Sequence, residues 1–229
     1  MTPLGVIASN LPAVTPRHYA LGLWLAAGSL GCILSLYGMA ATLIDGAFIP
    51  GDHDSFYHAH RILRALSGPW QVRQFDAAIH APEGSWVTWP WAYDTLMAVL
   101  ARTALAVTPV RQPLAVFAFV APLAVFLNAA RMLGCARRLG LSFARQVLVI
   151  ACFATASLTR SLHQVGMLDH HFVEHTFVLA TLFTGLGGCA APTALRPALW
   201  LGIVLGLAPA FHNGLFILQL PVLATLVLL

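Results

Sequence analysis

The residues of this chain best equipped for chemistry lie in Gly166-Met167-Leu168-Asp169-His170-His171-Phe172-Val173-Glu174-His175. Six of these ten ionise, bind metals or break helices, yet hydrophobic runs flank them on both sides, where such groups are costly in lipid. A carboxylate oxygen from Asp169 and an imidazole nitrogen from His171 suit one hard or borderline divalent ion, Mn²⁺ or Mg²⁺. Glu174 follows on the predicted first turn of the next helix. The plainer reading is a helix cap, with Asp169 accepting from N-terminal N–H groups and the histidines at headgroup level. Three ionisable residues in a row, a fourth nearby and a second polar cluster upstream argue against it.

That second cluster runs from Asp45 to Trp91 and holds five acids (Asp45, Asp52, Asp54, Asp76, Glu83), four histidines and three arginines. It is too long and too polar for a turn. Phe56, Ala59, Ile62, Leu63 and Leu66 are spaced as one face of a helix lying along the membrane surface, with Asp54 placed to start it. His58 and His60 read as surface or packing histidines, and His163 and His212 as polar helix ends or lining of a donor groove. Ala81 to Trp91 combines turn residues with Trp86, Trp89 and Trp91, the aromatic type that favours the headgroup zone.

The elements that must hold these clusters are membrane helices. The 229 residues are 59% hydrophobic and only 9% charged, and the mean hydropathy is +0.80. A soluble domain carries about a quarter charged residues, so the class is integral membrane. All twelve basic residues are arginine against eight acids; that balance is a topology signal, not a nucleic-acid patch. Cys32, Cys135, Cys152 and Cys189 have no paired spacing and read as packing residues.

Tyr19 to about Ile44 is long enough to span as an uncleaved anchor, Arg17 marking its cytoplasmic side. Residues 45–112 form a first external loop with interfacial helices. Its last part, Trp91 to Thr108, carries Asp94 and Arg102; leaving it in the interface puts Arg131, Arg137, Arg138 and Arg145 on the same side as Arg17, as the positive-inside rule asks. The spans then run Leu114–Met132, Gln146–Leu158, Phe172–Cys189, Ala198–Ala210 and Leu215–Leu229. All eight acids and nine of the ten histidines fall outside. The whole chain, 1–229, reads as a single all-α transmembrane domain.

Gly51-Asp52-His53-Asp54-Ser55-Phe56-Tyr57-His58-Ala59-His60-Arg61 resembles the start of the first external loop in the catalytic subunit of oligosaccharyltransferases. Ala81-Pro82-Glu83-Gly84 followed by Trp89-Pro90 is similar to that family's Pro-Glu-Gly and Trp-Pro pattern, and Gly166 to Glu174 resembles its Gly-x-x-Asp-His-His-x-x-Glu motif. The three stand in the family's order, from about residue 15 onward. The resemblance implies a polytopic helical bundle of GT-C type and a glycosyltransferase of the bacterial or archaeal inner or plasma membrane. It implies a polyprenyl-phosphate- or pyrophosphate-linked sugar donor and a peptide or glycan acceptor at the external, periplasmic face. By position, Asp54 matches the acid that orients the acceptor and touches the metal, Asp169 and His171 match the second metal-binding motif, and Glu174 closes that motif among the catalytic residues.

The chemistry stands independently: a divalent ion held by carboxylate and imidazole neutralises a departing phosphate, and Asp54 offers a carboxylate to the acceptor. Arg61, Arg64 or Arg160 could pair with that phosphate, though arginines beside a membrane more often bind lipid headgroups. The chain lacks the family's later external loop and its soluble domain with the Trp-Trp-Asp motif. It is expected to be the N-terminal part of a larger GT-C unit or a reduced homologue. The alternatives are a lipid-linked-sugar transferase acting on an envelope glycan or Ser/Thr, and a noncatalytic partner subunit. A metal or proton transporter needs ionisable groups near mid-membrane, and a haem protein needs histidines facing one another within helices; the spans offer neither.

Overall fold

The computed structural model describes residues 17–37, 43–45, 47–68, 72–107 and 112–228. The leading segment up to residue 16 and residues 38–42 of the expected first span lie outside them. The described elements are α1 (Arg17–Ser35), β1 (Leu43–Ile44), β2 (Ala47–Phe48), α2 (His53–Ser67), β3 (Phe75–Asp76), β4 (Ser85–Trp86), α3 (Ala92–Val107), α4 (Pro113–Phe117), α5 (Val120–Arg138), α6 (Phe143–Thr155), α7 (Ser157–Leu162), α8 (His171–Ala190), α9 (Leu195–Phe211) and α10 (Gly214–Leu228). The fold is the expected all-α membrane class, with two small antiparallel ladders added in the long loop, β1 on β2 and β3 on β4.

Among the described residues, three helical stretches are long and apolar enough to cross a membrane: α1, the run Pro113–Arg138 through α4 and α5, and α8. α6, α9 and the Gly214–Thr225 part of α10 are apolar but shorter. Leu21, Ile33, Leu123, Leu148 and Ile217 stay exposed on these helices. That is the pattern of a bundle solvated by lipid, which leaves no gain in hiding such side chains. Helix contact comes instead from small residues: a Cβ on Gly31 of α1 would fall 2.6 Å from Val125 Cγ1 of α5. One buried cluster, including Ala27, Val125, Ile150 and Phe153, knits α1, α5 and α6. α8 packs against both α5 and α9, and α10 against α8 and α9.

The chain alternates direction through this bundle, so the polar segments gather at one end. There the Val165 N–H donates to the Ser35 carbonyl at 2.9 Å and Phe48 packs with Ala118 and Val165. A second buried cluster, with Ile62, Tyr93, Met97, Phe117, Leu168 and Phe172, supports this end from α2, α3, α4 and α8. The other end carries Arg137 and Arg138 in the last turn of α5, where cations favour the exposed carbonyls of a helix terminus. Arg145 and Arg196 start α6 and α9 at that end.

α2 corrects two details of the sequence reading. Its N-cap is Asp52, whose carboxylate accepts from the Ser55 N–H at 2.7 Å, and Asp54 sits in the first turn instead. Its buried stripe is Ser55, His58, Ala59, Ile62 and Ala65, with Arg61 beside it, while Phe56 and Leu63 are exposed. Polar groups take the inner face because a polar site lies beneath it.

Candidate functional site

Three segments meet over that end: the start of α2, the loop before α8, and the corner between α9 and α10. The first two are stitched by backbone. Gly51 N–H donates to the Gly166 carbonyl at 2.9 Å, and Gly166 adopts φ 91°, a left-handed conformation that glycine allows without strain. The Ser55 hydroxyl oxygen accepts from the N–H groups of Leu168 at 2.9 Å and Asp169 at 3.0 Å. The third segment is fixed by Asn213, whose amide donates to the Thr88 carbonyl at 2.7 Å.

Asp169 is buried at the meeting point. Its Oδ1 accepts from the His170 N–H at 2.6 Å and lies 2.7 Å from His170 Nδ1; its Oδ2 lies 3.1 Å from His171 Nε2. His171 Nδ1 in turn stands 2.9 Å from Glu174 Oε2, and His212 Nδ1 stands 3.7 Å from Glu174 Oε1. The His170 and His212 rings are 4.4 Å apart, centroid to centroid. A Cβ on Gly214 would fall 2.7 Å from His212 Cε1, so the glycine leaves that imidazole its place.

Beneath this layer sits His58, which the sequence reading left among surface or packing histidines. It is fully buried. His58 Nδ1 lies 2.6 Å from Asp94 Oδ1; its Nε2 lies 2.8 Å from His170 Nδ1 and 3.6 Å from Asp169 Oδ1. The Trp89 ring, from the Trp-Pro dipeptide, stacks on it at 4.6 Å and 14°. Arg61 Nη1 is 2.8 Å from Asp94 Oδ2, but neither atom makes an aligned hydrogen bond, so the contact is an ion pair held by distance alone. His58 was legible after all: it falls at the stripe position four residues before Ile62 and seven before Ala65.

The electrostatics follow from these contacts. Burial favours neutral forms. It raises the Asp169 carboxyl, but hydrogen bonds from His170 and His58 outweigh it and hold Asp169 well below the usual carboxylate range. Burial likewise lowers His58, and the carboxylates of Asp169 and Asp94 overcome it, so the His58 imidazole is raised. His212 is lowered by burial first and by His170 second.

Two groups of three ligand atoms, each within 4.8 Å of one another, occur among the described residues: His170, His171 and His212, and His58, Asp169 and His170. Nitrogen donors with one carboxylate suit a borderline divalent ion such as Mn²⁺ better than Mg²⁺. His212 Nδ1 is buried and makes no hydrogen bond, an orphaned donor position that an ion would satisfy. Asp169 and His171, foreseen together, are brought together, with Glu174 behind His171. Asp54 is exposed on the first turn of α2 and belongs to neither ligand group. His58, His170 and Asp94 are the site residues that sequence reasoning missed, while His212, read as a polar helix end or lining of a donor groove, joins the cluster.

No protein-family model matches this chain, and no curated protein matches it. Solved structures do. An archaeal oligosaccharyltransferase, AglB from Archaeoglobus fulgidus, in complex with an inhibitory peptide and a dolichol-phosphate, superposes with a TM-score of 0.78 at 18% identity over 91% of this chain. An Archaeoglobus fulgidus oligosaccharyltransferase tethered by a disulfide to an acceptor peptide containing the NVT sequon gives 0.77 at 19% over 91%. The likeness is one of fold: this chain shares the helical membrane architecture of that part of those proteins. It spans about a quarter of their length, 25% and 26%.

Proposed function

We propose that this chain is the N-terminal membrane part of a metal-dependent glycosyltransferase of the oligosaccharyltransferase type. It moves a glycan from a polyprenyl-phosphate or -pyrophosphate donor to a peptide acceptor at the external face. The observation that carries this reading is the convergence of three separate loops on one buried Asp-His cluster, within a fold shared with the archaeal enzymes.

In this reading Asp169 and His171 hold the ion, Mn²⁺ in preference to Mg²⁺, with His170 and His212 offering further nitrogens. The bound ion supplies Lewis-acid neutralisation of the phosphate that leaves the sugar. The chain's own groups prepare the site. Glu174 orients His171 and faces His212; Asp94 fixes the ring of His58, and His58 fixes Asp169 and His170 from below. Such outer partners hold ligands in one tautomer and one direction. Asp54, exposed on the first turn of α2, is free to accept a hydrogen bond from the acceptor and orient it for attack.

The test is transfer of radiolabelled sugar from a polyprenyl-linked donor pool in membranes bearing the full-length gene product. Transfer that EDTA abolishes, that Mn²⁺ restores and that Asp54→Asn lowers is the expected result. Transfer indifferent to EDTA, or none to any extracted acceptor, overturns the reading.

A further inference from the structure

At the arginine end of the bundle, opposite the histidine cluster, α5, α8 and α9 line a groove of about 700 Å³. Its apolar wall includes Leu127, Phe183 and Trp200, and its charge comes from Arg131, Arg138 and Arg196. Leu127 and Trp200 are about half exposed along it, 48% and 53%. α8 approaches α5 closely here, because a Cβ on Gly134 would fall 2.6 Å from Phe183 Cε2. The Arg138 guanidinium lies 3.6 Å above the Phe183 ring centroid and donates to the Phe183 carbonyl. Arg131 donates to the Leu127 carbonyl of its own helix at 3.4 Å.

Among the described residues, no carboxylate meets these arginines. α5 and α9 contain no acid, and the single acid of α8, Glu174, stands in its first turn at the other end. Three cations beside apolar walls, with no counter-charge from the helices that build the groove, call for a ligand that is anionic at one end and hydrocarbon at the other. A free phosphate would leave the apolar wall uncovered. Basic pockets between membrane helices take anionic lipid headgroups on these grounds, and tryptophan favours the headgroup zone.

We propose that this groove binds one anionic glycerophospholipid, its phosphate among Arg131, Arg138 and Arg196 and an acyl chain along Leu127 and Trp200. The site is independent of the cluster at the other end and of any transfer reaction there.

The test uses the purified full-length gene product in a neutral detergent with phosphatidylglycerol or phosphatidylcholine added, and reads bound lipid by native mass spectrometry. Phosphatidylglycerol should be retained about tenfold or more over phosphatidylcholine. The preference should be lost in Arg131→Gln/Arg138→Gln/Arg196→Gln and kept in Arg145→Gln, an exposed arginine at the same end. Should the triple variant misfold, the single exchange Arg196→Gln at the start of α9 decides: it must lower retention. Lipid with brominated acyl chains should also quench a fluorescence component absent from Trp200→Phe. Equal retention of the two lipids, an unaffected triple or single variant, or a dimer that covers the groove without lipid preference would each overturn the proposal.

Discussion

His58 Nδ1 stands 2.6 Å from Asp94 Oδ1, joining α2 to α3 under the ligand cluster, and neither side chain has more than 1% of its surface exposed. On the far side of Asp94, Arg61 Nη1 approaches Oδ2 at 2.8 Å. One carboxylate therefore holds two buried basic groups, and through His58 it sets the position of Asp169 and His170.

Asp94→Leu should leave Arg61 buried without a counter-charge and His58 with Asp169 alone. A buried pair broken on one side loses about 3–5 kcal/mol. Thermal unfolding in detergent should show a large loss for Asp94→Leu and a smaller one for Asp94→Asn, which retains a polar partner. Equal midpoints for wild type and Asp94→Leu would remove the structural role of the pair.

The ligand set makes a separate prediction. Asp169→Ala and His171→Ala should each eliminate tight Mn²⁺ binding, read by electron paramagnetic resonance of the free ion, while the protein stays folded. Glu174→Gln removes the charge that faces His171 Nδ1 and His212 Nδ1 while sparing the ligands themselves, and should weaken binding about 10- to 100-fold. Equal Mn²⁺ binding by wild type and both alanine variants would abolish the metal site.

Asp169, His171 and Glu174 could be read from sequence because their association is local: three residues within one loop and one helical turn. The rest of the cluster is assembled across distance. His58 meets Asp94 over 36 residues and His170 over 112, and periodicity says nothing about which buried stripe faces which. Asp94 carried a usable signal, since it shares its face with Met97, Ala98 and Ala101, all buried; a carboxylate on such a face requires a buried cation. The start of α2 was misjudged by two residues because Asp52 and Asp54 are equally good caps by type, and only the bond to the Ser55 N–H separates them. Arg137, Arg138, Arg145 and Arg196 fall at the ends of α5, α6 and α9, whereas the break at Ala156 between α6 and α7 left no mark in an apolar stretch.

Ser55 gives a prediction about how the loops are tied. Its hydroxyl oxygen accepts from two buried N–H groups, those of Leu168 and Asp169. Ser55→Ala leaves both unsatisfied at about 1–3 kcal/mol each. The unfolding midpoint should fall, and hydrogen exchange at Leu168 and Asp169 should quicken more than at Phe153 in the bundle core. Unchanged exchange at those two amides would show that the loop does not depend on α2.

His163 predicts a pH effect on stability. The residue is fully buried, its Nε2 2.9 Å from the Asn128 amide, and burial lowers it to about 4 despite the bond to the Thr159 carbonyl. The unfolded imidazole titrates near about 6.5. Above that pH both states are neutral and the folded state keeps its full advantage. As pH falls from about 6.5 toward about 4, the unfolded chain takes up a proton that the folded chain refuses, so stability declines by up to about 3 kcal/mol and then levels off. His163→Gln should flatten that part of the unfolding profile. A variant whose midpoint falls through this window as steeply as wild type would show that His163 is not the group responsible.

The charge asymmetry of the bundle predicts its orientation. Asp169 and Glu174, with the acids of the long loop, lie at one end, and Arg137, Arg138, Arg145 and Arg196 at the other. Arginine-bearing loops are retained on the cytoplasmic side, and carboxylates contribute little to orientation. The Asp-His cluster should therefore face outward, the side that the proposed function requires. With Cys32, Cys135, Cys152 and Cys189 replaced, an impermeant maleimide applied to intact cells should label Glu83→Cys, exposed in the long loop, and should label Arg145→Cys only after permeabilisation. The reverse pattern would turn the cluster to the cytoplasm and overturn the outward orientation.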